Sequence, residues 1–191
     1  MWYKELILGS FPPPPNEDGY RTSRHYEFYY PNNRNYFWSV LSLAGGESSA
    51  LPKIGEDAVI ARKQLMDKLK VGVHNIVSVV NRPGRSSRDS DLKALETHDI
   101  ETLILNSKSL HTILLPGFSS KFSTFWLFHR QIIEERHWKA DRAFTKVTPS
   151  EIFHIEKNGR KIRCIIANST SPLARIGKDT LIKQFKLAFK R

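Results

Sequence analysis

Three short apolar runs constrain this chain more than any other feature. ELILG at 5–9, HTILL at 111–115 and IRCIIA at 162–167 are too short for helices, and turn residues follow or end each one. Runs of that kind read as strands buried on both faces. A fourth, VHNIVSVV at 73–80, is rich in β-branched residues and reads as one strand. Between them lie stretches with helical spacing. Val59, Ile60, Leu65, Met66 and Leu69 mark a helix over 57–70. Ile100, Leu103, Ile104 and Leu105 mark another over 99–106, and a third is expected over 118–136. A closing helix over 176–190 turns Leu181, Ile182, Phe185 and Phe189 inward and Lys178, Lys183, Lys186 and Lys190 outward. Strands alternating with helices predict an α/β fold: three layers, α/β/α, around a short central parallel sheet.

The 191 residues suit one domain, 1–191, and 40% hydrophobic content suits a packed core rather than disorder. The only cysteine, Cys164, lies inside an apolar run, which excludes a disulfide framework and a multi-cysteine metal or iron–sulfur site. That usage fits a reducing cytoplasm. The opening MWYKELILGS reads as the first buried strand rather than a secretory leader. No apolar run approaches the roughly 20 residues of a membrane span, so no membrane partner is expected. Thirty basic side chains against nineteen acidic ones leave a net charge of +11. Such an excess favours a polyanion, and nucleic acid is the first candidate.

In a parallel sheet, ligands bind beyond the carboxyl ends of the strands. Two loops there have unusual chemistry: GSFPPPP after the first strand and NSTSPLAR after the last. Proline cannot donate to a ladder, so Pro12 to Pro15 stop the first strand. An aromatic and asparagine cluster, HYEFYYPNNRNYFW, follows at 25–38, and a helix is expected from near Asn35 through Leu43. Ser169, Thr170 and Ser171 bring small donors next to a helix start, where hydroxyls and free N–H groups suit a phosphate or simply cap the helix. Arg82, Arg85 and Arg88 are candidate phosphate contacts on a polar loop, or solvated side chains. The seven histidines show no HxxxH or HExxH spacing and GSFPPPP lacks a GK[ST] ending. Neither a metal nor a cofactor is expected.

Gly9-Ser10-Phe11-Pro12, Tyr30 followed by Asn35-Tyr36-Phe37-Trp38, and Ser169-Thr170-Ser171-Pro172 together resemble the motifs of the uracil-DNA glycosylase superfamily. The likeness points to its mismatch-specific and hypoxanthine-type branch. It implies base excision repair chemistry: a glycosylase, acting as a monomer on DNA, that flips a deaminated base, hypoxanthine or uracil, and cleaves it from the sugar by hydrolysis. On that resemblance Gly9, Ser10, Phe11, Pro12, Tyr30 and Ser169 form the base pocket, with Tyr30 as the stacking aromatic. Arg34, Thr170, Ser171, Pro172, Leu173 and Arg175 meet the DNA, with Leu173 in the place of the family's inserting leucine. Other members carry Asp or Asn where this chain has Phe11, and His or Asn where it has Ser169. The hypoxanthine-type branch shares those losses and uses the asparagine of its Asn-x-Phe-Trp segment, which implies Asn35 here, with Asn32 as second choice.

Local sequence gives several of these residues a second reading. Asn35 also fits a helix cap, Tyr29 and Tyr30 fit core aromatics, and Leu173 fits a buried leucine better than a wedge. Two other functions remain: a non-cutting relative that recognises damaged DNA, and a hydrolase of small nucleosides or nucleotides. The basic surplus disfavours the second, since a small substrate needs no large positive face.

Overall fold

The computed structural model describes residues 3–11, 28–30, 34–48, 51–53, 55–81 and 93–190, the side chain of Leu95 excepted. Strands β1 (Glu5–Gly9), β2 (Val71–Asn75), β5 (Thr112–Pro116) and β8 (Arg160–Ala167) run parallel in the order β2-β1-β5-β8. β7 (Ile152–Lys157) and the two-residue β6 (Lys139–Ala140) extend that sheet antiparallel beyond β8. The sheet is therefore mixed and six strands wide, larger than the short parallel sheet expected. The two added strands come from 139–160, whose weak patterning conceals them because β7 buries only alternate residues. The turn between β7 and β8 is as read from the sequence. Asn158 and Gly159 have φ of 53° and 74°, the pair of positive values that a tight hairpin of this hand requires.

Period-two alternation in the central strands divides the core. Leu6, Leu8, Ile113, Leu115, Cys164 and Ile166 face one layer, built from α3 (Ile100–Asn106) and α4 (Thr124–Phe128), which continues as a π-helix over His129–Glu135. Ile7, Leu114, Ile165 and Ala167 face the other, where α1 (Phe37–Ala44), α2 (Gly55–Leu69) and α5 (Lys178–Phe189) bring Phe37, Leu41, Leu65, Leu181 and Phe185. The three-layer α/β/α architecture is thus present. α5 buries Leu181 and Phe185 as expected, with Gln184 and Ala188 beside them.

Two elements differ from expectation. The run 73–80 is not one strand. Ile76 and Val77 donate to the carbonyls of Gly9 and Ser10 at 2.8 and 2.9 Å, and the chain then leaves the sheet. β3 (Val77–Asn81) pairs instead with β4 (Lys93–Thr97) in a separate two-stranded sheet. β1 ends at Gly9, so β2 loses its partner there, and β-branched content cannot signal where a neighbour stops. The helix expected from 118 begins only at Thr124. Gly117, at φ 107°, turns the chain out of β5, and the Trp126 indole then donates to the Phe118 carbonyl.

Candidate active site

β1, β5 and β8 are parallel neighbours, so the loops after β1 and β8 leave the same end of the sheet. Only β5 separates them, which is about 10 Å at ~4.8 Å per strand spacing. Their meeting is direct. The Tyr36 N–H, just before α1, donates to the Thr170 carbonyl at 3.1 Å. Gly117, closing β5, fills the gap between the loops, and a methyl group on it would lie 3.9 Å from Ser169 Cβ.

Gly9 forms the floor. It is buried between β2 and β5, and a methyl there would collide with Asn75 Oδ1 and lie 2.9 Å from the Tyr30 hydroxyl. Glycine is needed because two polar groups occupy the space of its side chain. Tyr30 has φ 49°, a strained value for a tyrosine, and stacks on Phe37 with centroids 4.0 Å apart and planes at 13°. The segment before it is pinned from α1: the Trp38 indole donates to the Tyr29 carbonyl at 2.9 Å, and its ring stacks on Phe28. Ser10 offers its carbonyl to Val77, while Phe11 packs into the opposite layer, against the cluster of Leu6 and Leu8. Pro12 and Asn32 lie outside the described residues, as do Arg82, Arg85 and Arg88.

Asn35 is half-buried, and its Oδ1 accepts the Phe37 N–H at 2.9 Å. That bond satisfies the first N–H of α1 from one residue before the N-cap position, which Tyr36 occupies without a side-chain bond of its own. The carboxamide still has its two Nδ2 hydrogens, and no acceptor meets them among the described residues. In the second loop, Ser169 Oγ accepts from the Ser171 N–H, and Ser171 Oγ accepts from the Leu173 N–H at the start of the 3-10 turn Pro172–Ala174. Both hydroxyls keep a proton to donate. Thr170 is buried, Pro172 is exposed, and Arg175 is exposed in the left-handed region at φ 53°. Leu173 is 72% exposed, which overturns the expectation of a buried leucine. It tops a turn whose N–H groups are already used locally, and among the described residues no layer extends over it. Arg34 is exposed near the same end, and Lys178 Nζ lies 5.7 Å over the Tyr36 ring. Cationic side chains thus flank the joined loops.

Four residues around the site carry no clear signal in the sequence. Asn75 sits inside a run that reads as continuous strand, and only the end of β1 exposes its role. Gly117 carried a Pro-Gly signal that marked the stop but not its contact. His74 and His98 stand with ring centroids 4.4 Å apart. Burial, then the neighbouring His74, holds His98 below the usual imidazole value. Burial drives the Cys164 thiol well above its ordinary value, so it takes no part.

The same architecture occurs in the solution NMR structure of a protein from Methanosarcina acetivorans described as a "putative Uracil DNA glycosylase". The two superpose with a TM-score of 0.57 at 17% identity, over 98% of this chain and 92% of that one. The fold is uracil-DNA glycosylase-like. No protein-family model matches the chain, and no curated protein sequence does. Among the described residues no helix is long and apolar enough to cross a membrane, and no three His, Cys, Asp or Glu residues cluster as metal ligands.

Proposed function

We propose that this uracil-DNA glycosylase-like protein is a monofunctional DNA glycosylase that flips a deaminated base, hypoxanthine or uracil, out of DNA and excises it hydrolytically. One observation carries the reading. The two motif loops, far apart in sequence, are joined by the Tyr36–Thr170 hydrogen bond over a floor made of Gly9, Tyr30 and Asn75.

The roles follow from chemistry. A flipped base stacks on Tyr30, which Phe37 supports from behind. The Asn75 carboxamide, held over Gly9, carries both a donor and an acceptor and reads the base edge. Cleavage of the N-glycosidic bond leaves negative charge on the base and positive charge on the sugar, so fixed donors favour the departing base. The cationic sugar is electrophilic enough that water needs placing more than deprotonating. Asn35 does this through Nδ2, while Oδ1 stays bound to Phe37. Ser171 holds a flanking phosphate through the proton of its hydroxyl. Leu173 fills the space the base has left, as apolar wedges do. Arg34, Arg175 and Lys178 meet neighbouring phosphates. The protein acts as one catalytic unit and a monomer, without metal or cofactor.

The test uses duplexes carrying a single uracil, hypoxanthine or xanthine, followed by alkali to cleave abasic sites. Strand cleavage supports the proposal. A gel shift without cleavage replaces it with a second reading, a protein that binds damaged DNA without cutting. That reading has its own support in Phe11, which replaces an acid or amide and turns into the opposite layer. Neither binding nor cleavage removes both.

A further inference from the structure

A cavity of about 560 Å³ lies along β2, the outer strand of the parallel run, and borders the loop after β1 at Phe28 and Tyr29. Its volume falls within the range of small-molecule sites. Its walls come from both helical layers. Phe28, Tyr29 and Met66 close one side and Tyr3 and Leu103 the other, with the edge of β2 between them. Aromatic rings thus stand on both sides of the β2 edge, Phe28 and Tyr29 on one and Tyr3 on the other. An outer strand also turns alternate backbone N–H and C=O groups away from its partner. Groups so placed suit the in-plane donors and acceptors of a heteroaromatic edge better than an aliphatic guest.

Polar groups around the cavity narrow the guest further. Lys63 and Lys70 stand against a single acid, Asp67, and the exposed Lys63 holds its Nζ 5.8 Å over the Phe28 ring. His74 Nδ1 lies 2.9 Å from the Asn75 carbonyl, which can only accept, so Nδ1 carries a proton. Burial pushes the Tyr3 and Tyr29 hydroxyls above the ordinary tyrosine value, which keeps both neutral.

We propose that this slot is a free-nucleotide site, taking a nucleoside monophosphate with its base edge-on to β2 between the two aromatic walls and its phosphate on Lys63. The site is independent of the glycosylase reading. Tyr29 and His74 line it, while their chain neighbours Tyr30 and Asn75 lie over Gly9.

Calorimetric titration of the full chain tests the proposal, with inosine 5′-monophosphate, uridine 5′-monophosphate, inosine and inorganic phosphate as separate probes. At least one monophosphate should bind saturably at one site. Removing the phosphate or introducing Lys63→Glu should each weaken binding about tenfold or more, the loss expected for one hydrogen bond to a charged group. Met66→Trp, which fills the slot, should abolish binding. Lys63 is exposed, so its variant stays informative even if Met66→Trp fails to fold. Tyr30→Ala, which alters the base site instead, should leave nucleotide affinity unchanged. No saturable binding at millimolar nucleotide overturns the proposal. So does binding that Lys63→Glu leaves intact, or binding that Tyr30→Ala abolishes. Excision of bases from DNA is measured in parallel, so either reading can fail alone.

Discussion

Asn35 offers the sharpest perturbation, because the proposed function gives its two polar atoms different duties. Oδ1 caps α1 through the Phe37 N–H at 2.9 Å, and Nδ2 is the donor assigned to the water. Asn35→Ala removes both. The lost cap costs about 1 kcal/mol, which lowers Tm by about 2–4 °C in a chain of this size. The lost donor costs about 100- to 1000-fold in rate, equivalent to about 2.7–4 kcal/mol of transition-state stabilisation. Asn35→Ser separates the two effects. Serine caps about as well as asparagine, so its Tm should match that of the parent, but its shorter side chain cannot carry a donor to the same point. Single-turnover excision on the cleaved substrate, read beside thermal melts, should therefore show one stable variant and one slightly destabilised variant, both slow. DNA affinity should change little in either. A folded Asn35→Ser that excises at the parent rate refutes the reasoning and moves the water to Asn32 or to a backbone group.

Three further outcomes follow from the same geometry. Leu173 is 72% exposed, so Leu173→Ala should leave Tm unchanged while slowing excision from fully paired duplex more than from single strands; equal slowing on both would exclude a wedge. Arg175→Ala and Lys178→Ala should each reduce the slope of log affinity against log salt by about 1, and an unchanged slope in both would place the phosphates elsewhere. At the other end of the sheet, Glu101 accepts from Lys157 Nζ at 2.7 Å and Trp138 Nε1 at 2.9 Å, and the hydrogen bond from Lys157 chiefly holds its carboxyl below the usual value. Its folded value is thus depressed. The stability it contributes is whole above the unfolded carboxylate value of about 4.3 and is lost as pH falls through the lower folded one. Glu101→Gln should flatten that acid limb in equilibrium unfolding, and an unaltered limb would assign it to other carboxylates.

Glycine and proline punctuation explains much of what the sequence makes legible at the site. Gly9 and Pro116-Gly117 mark where β1 and β5 stop, and Ser171-Pro172 opens the turn after β8, because glycine widens and proline narrows the backbone geometry available. Those marks locate the candidate site's end of the sheet before any contact is known. They do not say which groups arrive there. Asn75 looks like mid-strand residue, and Phe11 looks like part of a base pocket, yet the first lies over Gly9 and the second turns to the opposite layer.

By itself, then, the sequence determined the layered alternation of strands and helices, the buried central strands and the hairpin turn at Asn158-Gly159. Each depends on periodicity or on φ preferences within a few residues. Tertiary structure alone decided the rest. It split 73–80 at Ile76 because β1 ends, left Leu173 exposed on its turn, and joined Tyr36 to Thr170 across most of the chain. It also divided Asn35 between cap and free donor. Burial and hydrogen-bond partnership are properties of neighbours brought from elsewhere in the chain, and no local pattern of residue types encodes them.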